Sequence, residues 1–129
     1  MINVLVSADP RYNIDKSAIK SVVIDALLKH RIGGKVEVGV NIIGDRKMHE
    51  LNRKYRGMDS TTDILSFALE DPLDTGFVAA PDLWLRLGDI VLSYPQVVED
   101  ASLDGISIDE EIKFLIDHGL KHLLCLQHD

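Results

Sequence analysis

The apolar residues of the chain recur with two different periods, one typical of strands and one typical of helices. Apolar runs that alternate with polar residues, or that are rich in β-branched residues, predict four strands at residues 2–7, 35–43, 62–67 and 87–94. Apolar residues spaced three and four apart predict four helices, at residues 14–31, at residues 45–57, after Pro95 and after Ser107. The predicted order is therefore β-α-β-α-β-β-α-α.

This interleaving favours an α+β fold, in which a mixed sheet of about four strands carries helices packed against it. The chain has 129 residues, and neither a repeat nor a linker divides it. That length is enough for one domain with a real core, so we expect a single domain over residues 1–129. Segment 70–83 contains two prolines and a glycine and is predicted to be a loop.

Composition places the chain among globular proteins of the cytoplasm. Hydrophobic residues make up 46% and charged residues 27%, which is a soluble balance rather than a disordered one. The sequence contains no apolar run long enough to span a bilayer, and its start lacks the features of a signal peptide. The single cysteine, Cys125, excludes an internal disulfide, as is usual in a reducing compartment. We therefore expect a cytoplasmic protein without a membrane partner.

The net charge of −7 is opposite to the basic balance that is usual in nucleic-acid-binding proteins. Segment 46–56 differs from the rest, because it holds five of the fourteen lysine and arginine residues and one acid. A local basic patch on the second predicted helix therefore stays compatible with binding to RNA.

Three of the five histidines lie near the C-terminal end of the sequence, in "DHGLKHLLCLQHD". His118 and His122 are four residues apart, so a helix places them on one face, where two imidazoles can share a metal ion. A straight helix would turn His128 about 240° away from His122, so His128 can join only if the helix ends near residues 124–126. Three protein ligands would leave one position for water, as in catalytic zinc sites. The alternative is a set of ordinary surface histidines.

Two other metal sites are suggested by the spacing. The metzincin peptidases share the spacing H-x3-H-x5-H, but they carry a catalytic glutamate after the first histidine, where this chain has Gly119. A peptidase of that kind would lack its general base. Cys125 also lies within reach of the same helical face, so a site of two histidines and one thiolate stays open if the helix continues.

Three segments resemble the conserved blocks of the YbeY family. "HGLKHLLCLQHD" is similar to the family pattern H-G-x-L-H-L-x-G-Y-D-H, and "GDIVLS" resembles its G-D-I strand. "LNRKYRGMDSTTDILSF" is similar to the block L-N-x-x-Y-R-x-x-D-x-P-T-D-V-L-S-F. The blocks occur in the family's order, and the resemblance as a whole covers roughly residues 36–129. The chain departs from the pattern at four positions of the histidine block: Lys121, Cys125, Leu126 and Gln127.

The resemblance implies a YbeY-like, metalloprotease-like fold and a metal-dependent endoribonuclease. It implies action on single-stranded RNA in ribosome quality control and in maturation of the 3′ end of the small-subunit ribosomal RNA. Its partners would be ribosomal RNA and the small ribosomal subunit. One zinc ion per chain would be held by His118, His122 and His128, and Arg56 would hold the RNA phosphate near the metal.

Several functions and roles remain open from the sequence. A metal-stabilised module that binds RNA or the ribosome with little catalysis is one alternative function, and a metzincin-like peptidase is another. Taken without the resemblance, Arg56 reads as a surface arginine paired with Asp59 or Glu50. Asp63 could orient a histidine ligand, or it could only mark the start of a strand. The sequence identifies no carboxylate as a general base, and a 2′-hydroxyl nucleophile is an open alternative to water.

Overall fold

The computed structural model describes residues 1–32, 34–68 and 84–128, the last three of them by their backbone alone. The elements follow the predicted order: β1 (Ile2–Ala8), α1 (Lys16–Lys29), β2 (Val36–Ile43), α2 (Asp45–Arg56), β3 (Ile64–Ala68), β4 (Leu85–Ser93), α3 (Tyr94–Asp104) and α4 (Ile108–His128). The predicted loop at 70–83 lies outside the described residues. None of the described helices is long and apolar enough to cross a membrane.

The four strands form one mixed sheet in the order β1-β2-β4-β3. β1 pairs with β2 and β2 pairs with β4 in parallel, whereas β3 pairs with β4 in the antiparallel direction. β4 begins at Leu85, two residues before the predicted start, because Leu85 donates its backbone N–H to the carbonyl of Lys35. The mixed α+β architecture expected from the sequence is confirmed.

The helices cover the two faces of the sheet unequally. On one face, α1 and α4 bury a large apolar cluster that includes Leu27, Ile90 and Leu120. On the other face, Met48 of α2 lies in a smaller cluster with Leu65 and its neighbours. Alternate residues of a strand point to opposite faces, so β3 contacts α4 through one set of side chains and α2 through the other.

A carboxylate at the first residue of α2 fixes this helix to its surroundings. Asp45 accepts hydrogen bonds from Thr61 Oγ1 at 2.8 Å, from Ser93 Oγ at 2.8 Å and from Gln96 Nε2 at 3.0 Å. Burial opposes ionisation of Asp45, but these hydrogen bonds outweigh it and lower its pKa. The N-terminal end of α2 is thereby tied to the β4–α3 junction, and this sets the direction in which α2 carries its last residue, Arg56.

Candidate active site

Residues from two helices meet in one cleft at the edge of the sheet. The cleft has a volume of about 460 Å³ and is lined by Tyr55, Arg56, Ile64, Leu65, Ser66, Phe67, His118 and His122. Three of the four residues selected from the sequence therefore share one cleft, although Arg56 is more than sixty positions away from the histidines. The side chain of the fourth, His128, lies outside the described residues.

The two histidines project from α4 on its exposed side. Ile116, Leu120 and Leu123 of the same helix are buried in the core, whereas His118 and His122 are exposed. Because α4 packs against the sheet through this apolar face, both imidazoles lie on its other side and line the cleft. Within the described part of the chain, neither imidazole is engaged in an ion pair or hydrogen bond.

Gly119 allows the histidine helix to lie close to β3. A Cβ atom at this position would lie 3.0 Å from Ile64 Cδ1, 3.1 Å from Ser66 Oγ and 3.2 Å from Ile90 Cδ1. Position 119 thus packs against side chains of β3 and β4, and a larger residue here would require these side chains to shift. The metzincin peptidases carry their catalytic glutamate at this position, where this chain has a closely packed glycine, which argues against that alternative.

The departure from the family pattern at position 121 is accommodated at the surface. Lys121 is exposed, and its Nζ lies 3.1 Å from Asp117 Oδ2, one helical turn away. This ion pair leaves the position of the two histidines on the helix unchanged.

The C-terminal end of α4 decides which residue could serve as a third ligand. The helix continues to His128, without the turn that would bring His128 back towards His122. The role of His128 therefore stays a prediction, and it requires the last turn of α4 to open.

Helical geometry also bears on Cys125. Seven residues of helix place the Cα atoms of His118 and Cys125 about 10.5 Å apart, which is a long span for one ion. No group of three histidine, cysteine or acidic side chains among the described residues is placed to hold a metal ion. The site of two histidines and one thiolate gains no support from this geometry.

Arg56 is the last residue of α2 and is available to a ligand. Gly57 follows it in the left-handed conformation, with φ at 67°, and ends the helix. Asp59 contacts His49 at 2.7 Å rather than Arg56, and in the described ranges no carboxylate pairs with the Arg56 guanidinium. The last turn of α2 also carries Arg53 and Lys54, so positive charge collects beside the cleft in an otherwise acidic chain.

The floor of the cleft is the open edge of β3. Ser93 donates its backbone N–H to the carbonyl of Asp63 at 2.9 Å, which fixes the pattern of the antiparallel ladder. Leu65 and Phe67 therefore direct their backbone groups towards β4, whereas Ser66 directs its N–H and C=O outwards. No described strand pairs with this edge, so the cleft contains backbone donors and acceptors in addition to its side chains.

Asp63 lies near acidic residues of α3 and α4. Burial raises the pKa of Asp100 on α3 to about 6, together with a hydrogen bond to the Asp63 carboxyl group and the charges of Glu111 and Asp104. Glu111 on α4 is buried, and its pKa is also raised, first by burial and then by the charges of Asp104 and Asp63. The structure thus favours a packing role for Asp63 at the start of β3.

This acidic group predicts that stability falls as the pH rises. The folded protein binds a proton at Asp100 more tightly than the unfolded chain does. The contribution of this proton to stability is therefore fully present below pH 3.8, the ordinary pKa of an aspartate, and is lost as the pH rises through about 6. Asp100→Asn should raise the free energy of unfolding by about 1–2 kcal/mol at about pH 7.5 and change it little at about pH 4. Thermal unfolding followed by circular dichroism at both pH values measures this. Glu99→Gln removes a charge from an exposed neighbour and should have no such effect; equal effects of both variants would refute the prediction.

Comparisons with known proteins agree on one family. A family model described as "Endoribonuclease YbeY" matches residues 7–129. The proteins named "Endoribonuclease YbeY" from Roseiflexus sp. (strain RS-1) and Moorella thermoacetica are 41% and 40% identical to this chain. Their matches cover 90% and 88% of this chain, and 72% and 73% of the respective relatives. The solution structure of TM1509 from Thermotoga maritima is similar, with a TM-score of 0.59 and 25% identity over 95% of this chain and 71% of that one.

Proposed function

Because the chain belongs to the Endoribonuclease YbeY family, we propose that it is an endoribonuclease that cleaves single-stranded RNA. We place its action in maturation of the 3′ end of the small-subunit ribosomal RNA and in ribosome quality control, in the cytoplasm and with the small ribosomal subunit as partner. The observation that carries the proposal is the cleft that brings Arg56 together with His118 and His122. We assign the activity to a single domain formed by residues 1–129.

The two described histidines suit a zinc ion. Both are exposed, both line the cleft, and their spacing of one helical turn suits chelation of one ion by imidazole nitrogens. His118 and His122 would hold one zinc ion per chain, with His128 as the third ligand. Such an ion, when bound, polarises a phosphoryl oxygen and lowers the pKa of water.

The chain's own residues would bind and orient the RNA. The Arg56 guanidinium, which pairs with no carboxylate among the described residues, would hold the phosphate through two parallel hydrogen bonds and offset the negative charge that builds on phosphorus. The open edge of β3 would let backbone groups contact an extended strand lying in the cleft. One extended strand could contact these backbone groups and Arg56 together, which is why we propose single-stranded RNA as the substrate.

His128 would reach the ion only after a local change in α4. In a helix that continues to His128, position 128 lies about 240° around the helix axis from position 122. We propose that the last turn of α4 opens when the metal binds, since ligand bonds would offset the loss of a few helical hydrogen bonds.

Zinc content and RNA cleavage test this proposal together. In tag-free protein, elemental analysis should find about one zinc ion per chain, which His128→Ala should lose and Cys125→Ser should keep. End-labelled single-stranded RNA should be cut internally by the parent protein and not after treatment with a chelator. Zinc that stabilises the chain without any cleavage would favour the binding module instead. Protein that takes up no zinc and cuts no RNA would overturn the proposal.

A further inference from the structure

Tyr55 is an exposed aromatic residue inside the cleft. The sequence places it on the apolar face of α2 with Met48, and Met48 is indeed fully buried, but 56% of Tyr55 is exposed. Single exposed apolar residues are common on protein surfaces, so the exposure alone means little. Its position is the informative part, because the ring lines the same cleft as Arg56 and the two histidines.

The ring of Tyr55 packs against an aromatic side chain of the sheet. Phe67 of β3 meets it edge to face, with the ring centroids 5.2 Å apart and the planes at 69°. Phe67 is anchored in turn, since its backbone groups are directed towards β4 and its side chain packs against the smaller core cluster. This contact with Phe67 restricts the orientations of the Tyr55 ring on one side.

Two positively charged side chains neighbour the Tyr55 ring. Arg56 follows Tyr55 directly in the chain, and Lys54 Nζ lies over one face of the Tyr55 ring, 5.2 Å from its centre. A stacked base would therefore use the other face of the ring or displace the flexible lysine side chain. Proteins that bind single-stranded nucleic acid combine such cations, which follow the backbone, with aromatic rings on which bases stack. In this protein the C-terminal end of α2 supplies both the cations and the aromatic ring.

We infer that Tyr55 stacks against an unpaired nucleobase of the RNA, next to the phosphate that Arg56 holds. This base-binding subsite rests on the proposed ribonuclease function and adds to it the way in which the strand is oriented. Stacking uses the face that every base possesses, so the subsite accepts any of the four bases while it requires that the base be unpaired.

Binding of short RNA without cleavage tests the inference. Fluorescence anisotropy of labelled single-stranded octamers would be measured in the presence of a chelator, for the parent, Tyr55→Phe, Tyr55→Ala and Phe114→Ala. Tyr55→Ala should weaken binding about tenfold, whereas Tyr55→Phe, which keeps the ring, should stay within about twofold of the parent. Phe114→Ala removes an aromatic residue that is 65% exposed and outside the cleft, and should leave binding unchanged.

Octamers with one base removed locate the contact. For the parent protein, the loss of one particular base should weaken binding about tenfold, and for Tyr55→Ala the loss of that base should cost nothing more. The inference is overturned if the parent and Tyr55→Ala bind the octamers equally well, or if the parent binds no RNA. It is also overturned if removal of the base weakens binding by Tyr55→Ala as much as it weakens binding by the parent. A Tyr55-dependent effect in a protein that never cuts RNA with zinc would support the subsite and refute the proposed catalysis.

Discussion

His118→Ala is expected to abolish RNA cleavage, lowering its rate by about a thousandfold or more, and to remove the bound metal. The reason lies in the geometry of α4, where His118 and His122 form the described pair of imidazoles in the cleft. Without one of them, the remaining ligands cannot fix a single ion by chelation across a helical turn. His118 is exposed, so its removal should leave the core intact.

The control for this experiment is His49→Ala. His49 is also an exposed histidine on a helix, but it pairs with Asp59 and does not line the cleft. Cleavage rate, zinc content and melting temperature would be measured for both variants. The site assignment fails if His118→Ala retains zinc and cuts RNA at the parent rate, or if His49→Ala loses both properties.

Arg56→Ala is expected to lower the rate of cleavage by about 10²–10³ while the metal content stays unchanged. No described carboxylate competes for the guanidinium, so its loss removes a cation that is directed at the ligand rather than at the protein. Arg56→Lys should recover only part of the rate, because a lysine keeps the charge but lacks the planar pair of donors.

Arg53→Ala provides the comparison, because it removes the same charge from the same helical turn. Arg53 does not line the cleft, so its loss should weaken RNA binding slightly and reduce the salt dependence of binding, with little effect on the rate at saturating RNA. Single-turnover kinetics at saturating RNA separate the two effects. An Arg56→Ala protein that keeps its metal and cleaves like the parent would show that the assigned role is wrong.

The sequence predicts the elements well because their signals are local. The order of strands and helices follows from periodicity, and the shared face of His118 and His122 follows from their spacing on one helix. The meeting of these histidines with Arg56 depends instead on tertiary packing. α4 and α2 must cover opposite faces of the edge strand, and no local pattern contains that information. Only the family resemblance joined the two segments before the fold was known.

Two residues show where sequence reasoning stopped short. Tyr55 occupies a position on the apolar face of α2. The spacing of apolar residues does not reveal whether the ring at such a position is buried or lies exposed beside the edge of the sheet. The feature of the sequence that indicates a functional role for Tyr55 is its position directly before Arg56, in a block that resembles the family pattern. From the sequence, Asp63 could either orient a histidine ligand or mark the start of a strand. The structural observation that favours the second role is its hydrogen bond with Asp100, which lies on a helix more than thirty residues later.

The open edge of β3 also bears on how the protein behaves at high concentration. Strand edges with unpaired backbone groups can recruit a strand from another copy of the chain and so begin aggregation. This edge is five residues long and lies at the floor of a cleft, with α2 on one side and α4 on the other. The helices on both sides hinder the edge of a second folded sheet from approaching β3, whereas a single extended chain could still reach it. The recess thus limits pairing between folded copies while it leaves the backbone of β3 accessible.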